Sequence, residues 1–400
     1  MKKSFTLFFI LLCSSWLFAA DIDMQIHWGT KEAQLKSMST AGKQKTYYKG
    51  DYSPENLRAL SGDELFGALN TLMGNTCRLL ESGYDYNALR YAYVNVDKDL
   101  NHNGYIIGYY DGQSMNGTWD PNPSTALYNR EHTWPQSKGA DKGTPMGYDM
   151  QSVRPASTAI NSDRGSTPYG ESSKFYDPDV IAINNSLYAP EHLGSYRGDC
   201  ARVILYDYIV YGKAGGYNND FYQGNAQLLS KLGKNGVFES IPILLKWHMQ
   251  DPSSLTEMVR NDGAQAYQGN RNPFIDYPEL AIQILKDQVT SYPVSVTGAE
   301  MWPAYSLTLN TGFISYMGTK TSRPKEVTVT GADYEYDKVS GRLIITKVKG
   351  AVTISVASAQ ALEMTEDGQQ ALKTIHNGQI VIIKNGKAYT ILGAPVGDIR

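Results

Sequence analysis

Two neighbouring side chains, Glu131 and His132, set the tightest limit on how residues 128–137 can fold. They lie in Tyr128-Asn129-Arg130-Glu131-His132-Thr133-Trp134-Pro135-Gln136-Ser137, with a guanidinium before them and a Trp-Pro step after them. His offers a proton acceptor near neutral pH, Glu a hard oxygen ligand, and Arg a fixed cation for a phosphate. Side chains that are neighbours on a regular strand point to opposite faces. Chemistry shared by this pair therefore requires a strand end or a bulge, and Pro135 predicts an ending. Taken alone, an adjacent Glu-His pair also fits a solvated surface.

A second stretch narrows the choice. Asn161 follows Glu131 by thirty residues, within Asp149-Met150-Gln151-Ser152-Val153-Arg154-Pro155-Ala156-Ser157-Thr158-Ala159-Ile160-Asn161-Ser162-Asp163-Arg164-Gly165. Pro155 suits a first helical position and Gly165 the position just past a helix end, so the spacing predicts a short helix between them. Asn161 and Arg164, three apart, would share one face of it. The predicted order is an extended segment bearing Glu131-His132, a loop, then a helix presenting Asn161.

This order resembles the ββα-metal (His-metal finger) nuclease motif. Asn-Arg-Glu-His-Thr-Trp-Pro-Gln-Ser and Arg-Pro-(x)5-Asn-Ser-Asp-Arg-Gly are similar to signatures of the secreted bacterial endonuclease I family. A third stretch, Gln268-Gly269-Asn270-Arg271-Asn272-Pro273-Phe274-Ile275-Asp276-Tyr277-Pro278-Glu279-Leu280, resembles another signature of that family, and its prolines predict a rigid turn. The likeness covers about residues 60 to 288. It implies a phosphodiester hydrolase acting on DNA, with RNA as an open alternative, and with 5′-phosphate products and little sequence selectivity. It implies His132 as general base, and Glu131 and Asn161 as ligands of a divalent ion. Magnesium fits two protein oxygens plus water, with calcium or manganese as alternatives. Arg164 and Arg130, with Arg154 and Arg271, are the residues expected at phosphates or transition-state charge. The chain departs from the family where Asp149-Met150-Gln151 stands in place of Asp-Leu-His, which removes a supporting histidine.

At the start of the chain, Lys2-Lys3 precede an apolar run from Phe5 that ends at Ala19-Ala20. This reads as a secretory signal peptide over residues 1–20, with export to the exterior, the cell surface or the periplasm. No later segment approaches the ~20 apolar residues of a membrane span. Loss of Lys2 and Lys3 moves the formal charge from -3 to -5, so any pull on nucleic acid must come from local basic surface. Cys77 and Cys200 would remain, either as one disulfide or as two buried thiols.

The expected class is α+β. A mainly helical domain over 21–292 would contain the finger, and 293–325 would form a linker or extension. An all-β, sandwich-like domain over 326–400 would follow, its end weakly resembling type IX secretion sorting modules. Ser61-Gly62-Asp63-Glu64 reads as a capping box opening a helix that buries Leu65, Leu69, Leu72 and Met73. Residues 200–211 read as a buried helix, and 237–249 as a helix followed by one capped by Asp251 with Pro252 first. His248 reads as a structural histidine. The protein is expected to act as a monomer. Two other functions fit the composition, which includes 29 tyrosines: a secreted glycan-binding protein, and a metal phosphoesterase for small nucleotides. Metal-dependent cutting of long nucleic acid separates the nuclease from both.

Overall fold

The computed structural model describes residues 46–99, 102–179, 195–212, 236–318 and 323–356, together with strands at 372–376, 379–384, 387–390 and 395–398. The signal-peptide segment lies outside the described residues. One compact unit ends at Val356 and a second begins at Ala357. The class is α+β, with helices dominating the first part and strands the second.

In the first unit, helix α1 (Pro54–Ala59) is capped by Ser53. It leads to α2 (Gly62–Thr76), which buries Leu65, Leu69, Leu72 and Met73 on one face. The expected capping box is not made there. Gly62 enters with a φ of 53°, outside the helical range, and the Ser61 side chain accepts no N–H of the first turn. Helix α3 (Leu89–Val96) precedes a short hairpin of β1 (Tyr105–Ile107) and β2 (Ser114–Asn116).

Strand β3 (Tyr128–His132) pairs antiparallel with β4 (Val153–Ser157), placing Glu131 opposite Arg154 and His132 opposite Val153. Helix α4 (Thr158–Arg164) follows directly, with the Ser157 hydroxyl accepting from the Ile160 N–H. Pro155 is therefore a strand residue paired with Arg130, not the start of the helix. The ribbon tolerates it because the missing N–H falls on the side of β4 turned away from β3, where the Pro155 carbonyl accepts from Tyr109 N at 2.7 Å. Gly165 ends α4 with a φ of 54°, as the spacing predicts.

Helix α5 (Arg197–Tyr211) is buried on nearly all sides, as its apolar composition requires. It packs against α6 (Ile241–Gln250), whose Ser240 accepts from Ile243 N. Helix α7 (Leu255–Gln268) starts at a reciprocal Ser254–Glu257 capping box, not at Asp251-Pro252. The Asp251 carboxylate is already taken by the Gly198 N–H at 2.8 Å. Short helices α8 (Pro273–Asp276) and α9 (Leu280–Leu285) complete this region.

Residues 293–318 carry strands that pair with segments beyond residue 326. Strand β5 (Tyr292–Thr297) pairs with β7 (Leu307–Thr308) and, in parallel, with β12 (Val352–Ser355), which also pairs with β9 (Thr328–Thr330). A second sheet takes the order β10 (Asp333–Asp337), β11 (Arg342–Thr346), β8 (Phe313–Met317), β6 (Met301–Trp302). Pairing of β5 with β12 joins segments on both sides of residue 326, so no domain boundary falls there. Val294, Phe313, Leu343 and Val352 share one buried apolar cluster with Leu244 and Leu285 of the helices. The second unit contains β13 (Leu372–His376), β14 (Gln379–Lys384), β15 (Lys387–Thr390) and β16 (Pro395–Asp398) as an antiparallel meander. Lys384 pairs with Lys387, so β14 and β15 form a hairpin pair.

Candidate active site

Alternation along β3 sorts the motif into two faces. Asn129 and Glu131 lie on one, Arg130 and His132 on the other. The strand stops at His132, as Pro135 predicts, but both side chains have already been dealt to different partners.

On the first face, the Asn161 side-chain amide from α4 donates to the Asn129 side-chain oxygen. Glu131 is 2% exposed, and its Oε1 accepts from the Tyr110 hydroxyl at 2.7 Å. The same oxygen lies 3.1 Å from Arg164 Nη1. Burial raises the Glu131 carboxyl pKa, while the Arg164 charge and the Tyr110 hydroxyl draw it back. Arg164 also donates to the backbone oxygens of His132 at 2.9 Å and Thr133 at 2.8 Å. It ties α4 to the end of β3.

On the second face, the His132 ring stacks on Tyr86 with centroids 5.6 Å apart. His132 Nε2 lies 3.0 Å from the Gly147 oxygen, and Nδ1 lies 3.2 Å from Gln136 Nε2. A carbonyl can only accept, so Nε2 carries the proton and Nδ1 keeps its lone pair. Gly147 is needed for this contact, because a Cβ there would lie 1.8 Å from the Asp141 oxygen. Burial depresses the His132 pKa to about 4, aided by the Arg130 and Arg164 charges. Arg130 is half-buried beside it, 3.6 Å from the Tyr86 ring centre and 4.6 Å from that of Trp119. Its Nη1 donates to the Tyr86 oxygen at 2.7 Å, while its Nε has no hydrogen-bond partner among the described residues.

Three arginines expected at phosphates are instead closed into the fold. Arg154 packs over Tyr109 and pairs with Asp97 at 3.3 Å. Arg271 is fully buried, held by both oxygens of Asp276 at 2.8 Å and by Asp262 at 2.7 Å. Arg164, 1% exposed, is occupied by the carbonyls and carboxylate described above. Each guanidinium meets an anion or carbonyls inside the protein, which leaves Arg130 as the accessible member of the set. His248 is buried, with Nε2 2.7 Å from the Pro278 oxygen, matching the structural role read from the sequence. Cys77 and Cys200 are free thiols, so the disulfide alternative is not realised.

Among the described residues no group of three or more His, Cys, Asp or Glu could hold a metal ion. A site here would rest on one carboxylate and amide oxygens. Sequence reasoning missed Tyr110, Gln136 and Gly147, which touch Glu131 and His132 directly. Gln136 lies within the first motif and Gly147 just before the second, but nothing in their spacing signalled these contacts.

Sequence similarity places the chain among nucleic-acid hydrolases. The family model for endonuclease I matches residues 70–279, which takes in the first two motifs and all but the last residue of the third, and the chain belongs to that family. It is 32% identical over 251 residues to the extracellular ribonuclease of Bacillus amyloliquefaciens, covering 60% of this chain and 78% of that protein. It is also 29% identical over 297 residues to the extracellular ribonuclease of Bacillus subtilis (strain 168), covering 69% of this chain and 95% of that one. Membership in a nuclease family favours the nuclease reading over the glycan-binding one.

Proposed function

We propose that this chain is a secreted, metal-dependent endonuclease that hydrolyses phosphodiester bonds of DNA and RNA to 5′-phosphate products with little sequence selectivity. The observation that carries the reading is the His132 geometry. Gly147 holds the Nε2 proton, leaving a neutral Nδ1 lone pair at the end of β3. Once the attacking water takes the place of the Gln136 amide, which donates to Nδ1 at 3.2 Å, that nitrogen accepts the water's proton, a role that contributes typically ~10²–10⁴-fold. Arg130, clamped between Tyr86 and Trp119, holds a phosphate oxygen of the substrate. Arg164 acts from behind, fixing the His132 carbonyl and the Glu131 carboxylate.

The donors on the Asn129–Glu131 face suit a hard, hydrated cation. Glu131 brings one carboxylate, and Asn161, whose amide nitrogen is used by Asn129, would offer its side-chain oxygen. Glu131 and Asn161 would hold magnesium, with calcium or manganese as substitutes. The ion, when bound, supplies charge neutralisation at the scissile phosphate and its leaving oxygen. RNA is included because both relatives are named ribonucleases, and export is supported by their description as extracellular together with the basic-apolar start of this chain. No helix among the described residues is long and apolar enough to cross a membrane.

The test is cleavage of supercoiled plasmid and of a long transcript, with magnesium and with EDTA. Internal nicking of both that stops on chelation is expected. Cutting that persists in EDTA sinks the metal dependence. Release of phosphate from mononucleotides without internal cuts would favour the small-nucleotide phosphoesterase.

A further inference from the structure

Tyr110 departs from ordinary backbone geometry. Its φ is 78°, a left-handed conformation that a bulky L-residue adopts only when its surroundings compel it. The turn around it is tightly determined. Gly112 N donates to Gly108 O at 3.0 Å, Gly108 N to Gln113 O at 2.8 Å, and Tyr109 N to Pro155 O of β4 at 2.7 Å. Such strain in a buried turn points to a job for the side chain.

The side chain reaches Glu131. An ionised carboxylate can only accept, so the Tyr110 hydroxyl spends its one proton on Glu131 Oε1 at 2.7 Å. Tyr169 also touches the Tyr110 hydroxyl, and must then be the donor in that contact. Arg164 lies over the Tyr169 ring, 4.7 Å from its centre, and meets the same Oε1 at 3.1 Å. Tyr110 and Arg164 both meet Oε1, while Tyr169 acts through the Tyr110 hydroxyl. Neither Tyr110 nor Arg164 engages Oε2.

We infer that Tyr110 is a positioning residue for the divalent ion: backed by Tyr169, it locks Glu131 through Oε1 so that Oε2 is presented as the ligand. This rests on the metal assignment proposed above. Outer partners of a ligand that set its orientation commonly change metal affinity by roughly 10–100-fold when removed.

The experiment measures magnesium binding to the full chain by titration calorimetry and by the rise in Tm on adding the ion, for wild type and Tyr110→Phe. The substitution keeps the ring and deletes the hydroxyl. Expected are a Kd raised roughly 10–100-fold, a smaller magnesium-dependent rise in Tm, and cleavage that recovers as magnesium is increased. A merely structural hydroxyl would lower the Tm without magnesium and leave the Kd alone, and that result overturns the inference. If Tyr110→Phe does not fold, Tyr169→Phe carries the same test, with a Kd increase in the same direction expected and an unchanged Kd overturning it. A wild type that binds no magnesium at all overturns the metal assignment itself, a failure distinct from an unchanged Kd in the variant.

Discussion

Replacing His132 by Ala should change both the size and the pH dependence of cleavage. In the folded chain the imidazole is 5% exposed and its pKa falls from 6.5 to about 4. That displacement is worth about 3 kcal/mol in favour of the neutral ring. At pH 6, roughly one molecule in a hundred would carry a protonated His132, whereas a free imidazole would be mostly charged. Measured at saturating magnesium, wild-type kcat/KM should therefore stay nearly flat from about pH 5.5 to 7.5 and fall only on approach to about pH 4. The sign follows from the base needing its lone pair, since acid removes activity by filling Nδ1. The same shift links to stability. Between about pH 4 and 6.5 the unfolded chain binds the proton that the folded ring refuses, so this contribution is complete above 6.5 and lost as pH falls to about 4. In His132→Ala the rate at neutral pH should drop ~10²–10⁴-fold and then climb about tenfold per pH unit as hydroxide replaces the base. A wild-type limb centred near pH 6.5 would refute the buried, neutral imidazole. Near-normal turnover in the variant would refute the base assignment.

Glu131→Ala and Asn161→Ala should each raise the magnesium concentration for half-maximal cleavage, and titrations indistinguishable from wild type would reject them as ligands. Arg271→Ala strands the buried Asp262 and Asp276 and should cost about 3–5 kcal/mol in urea unfolding, whereas a loss under about 1 kcal/mol would mean that the site is relieved by water. A chain cut after Val356 should unfold cooperatively, but one cut near residue 291 should not, because Val294, Phe313, Leu343 and Val352 leave the shared core; a sharp transition in the shorter chain would contradict that. Mass spectrometry of exported protein should find the chain cut near Ala19 or Ala20, and an intact Met1 would exclude the signal peptide.

The chemistry of the site was legible in residue types and local order. Glu131-His132 before Trp134-Pro135 announced a strand end, and Asn161 three residues before Arg164 announced a shared helical face, because these periodicities are local properties of the backbone. The α+β class was legible for the same reason. Burial was not. Arg154, Arg164 and Arg130 look alike in sequence, yet Arg154 meets Asp97 and Arg164 meets the carbonyls of residues 132 and 133, while Arg130 stays half-exposed. Which guanidinium keeps its charge for a substrate depends on anions brought near from distant parts of the chain. The His132 tautomer likewise depends on Gly147, and the Glu131 orientation on Tyr110. Those contacts arise only when separate segments pack together, since a side chain's partners are set by distance in space and not by spacing along the chain.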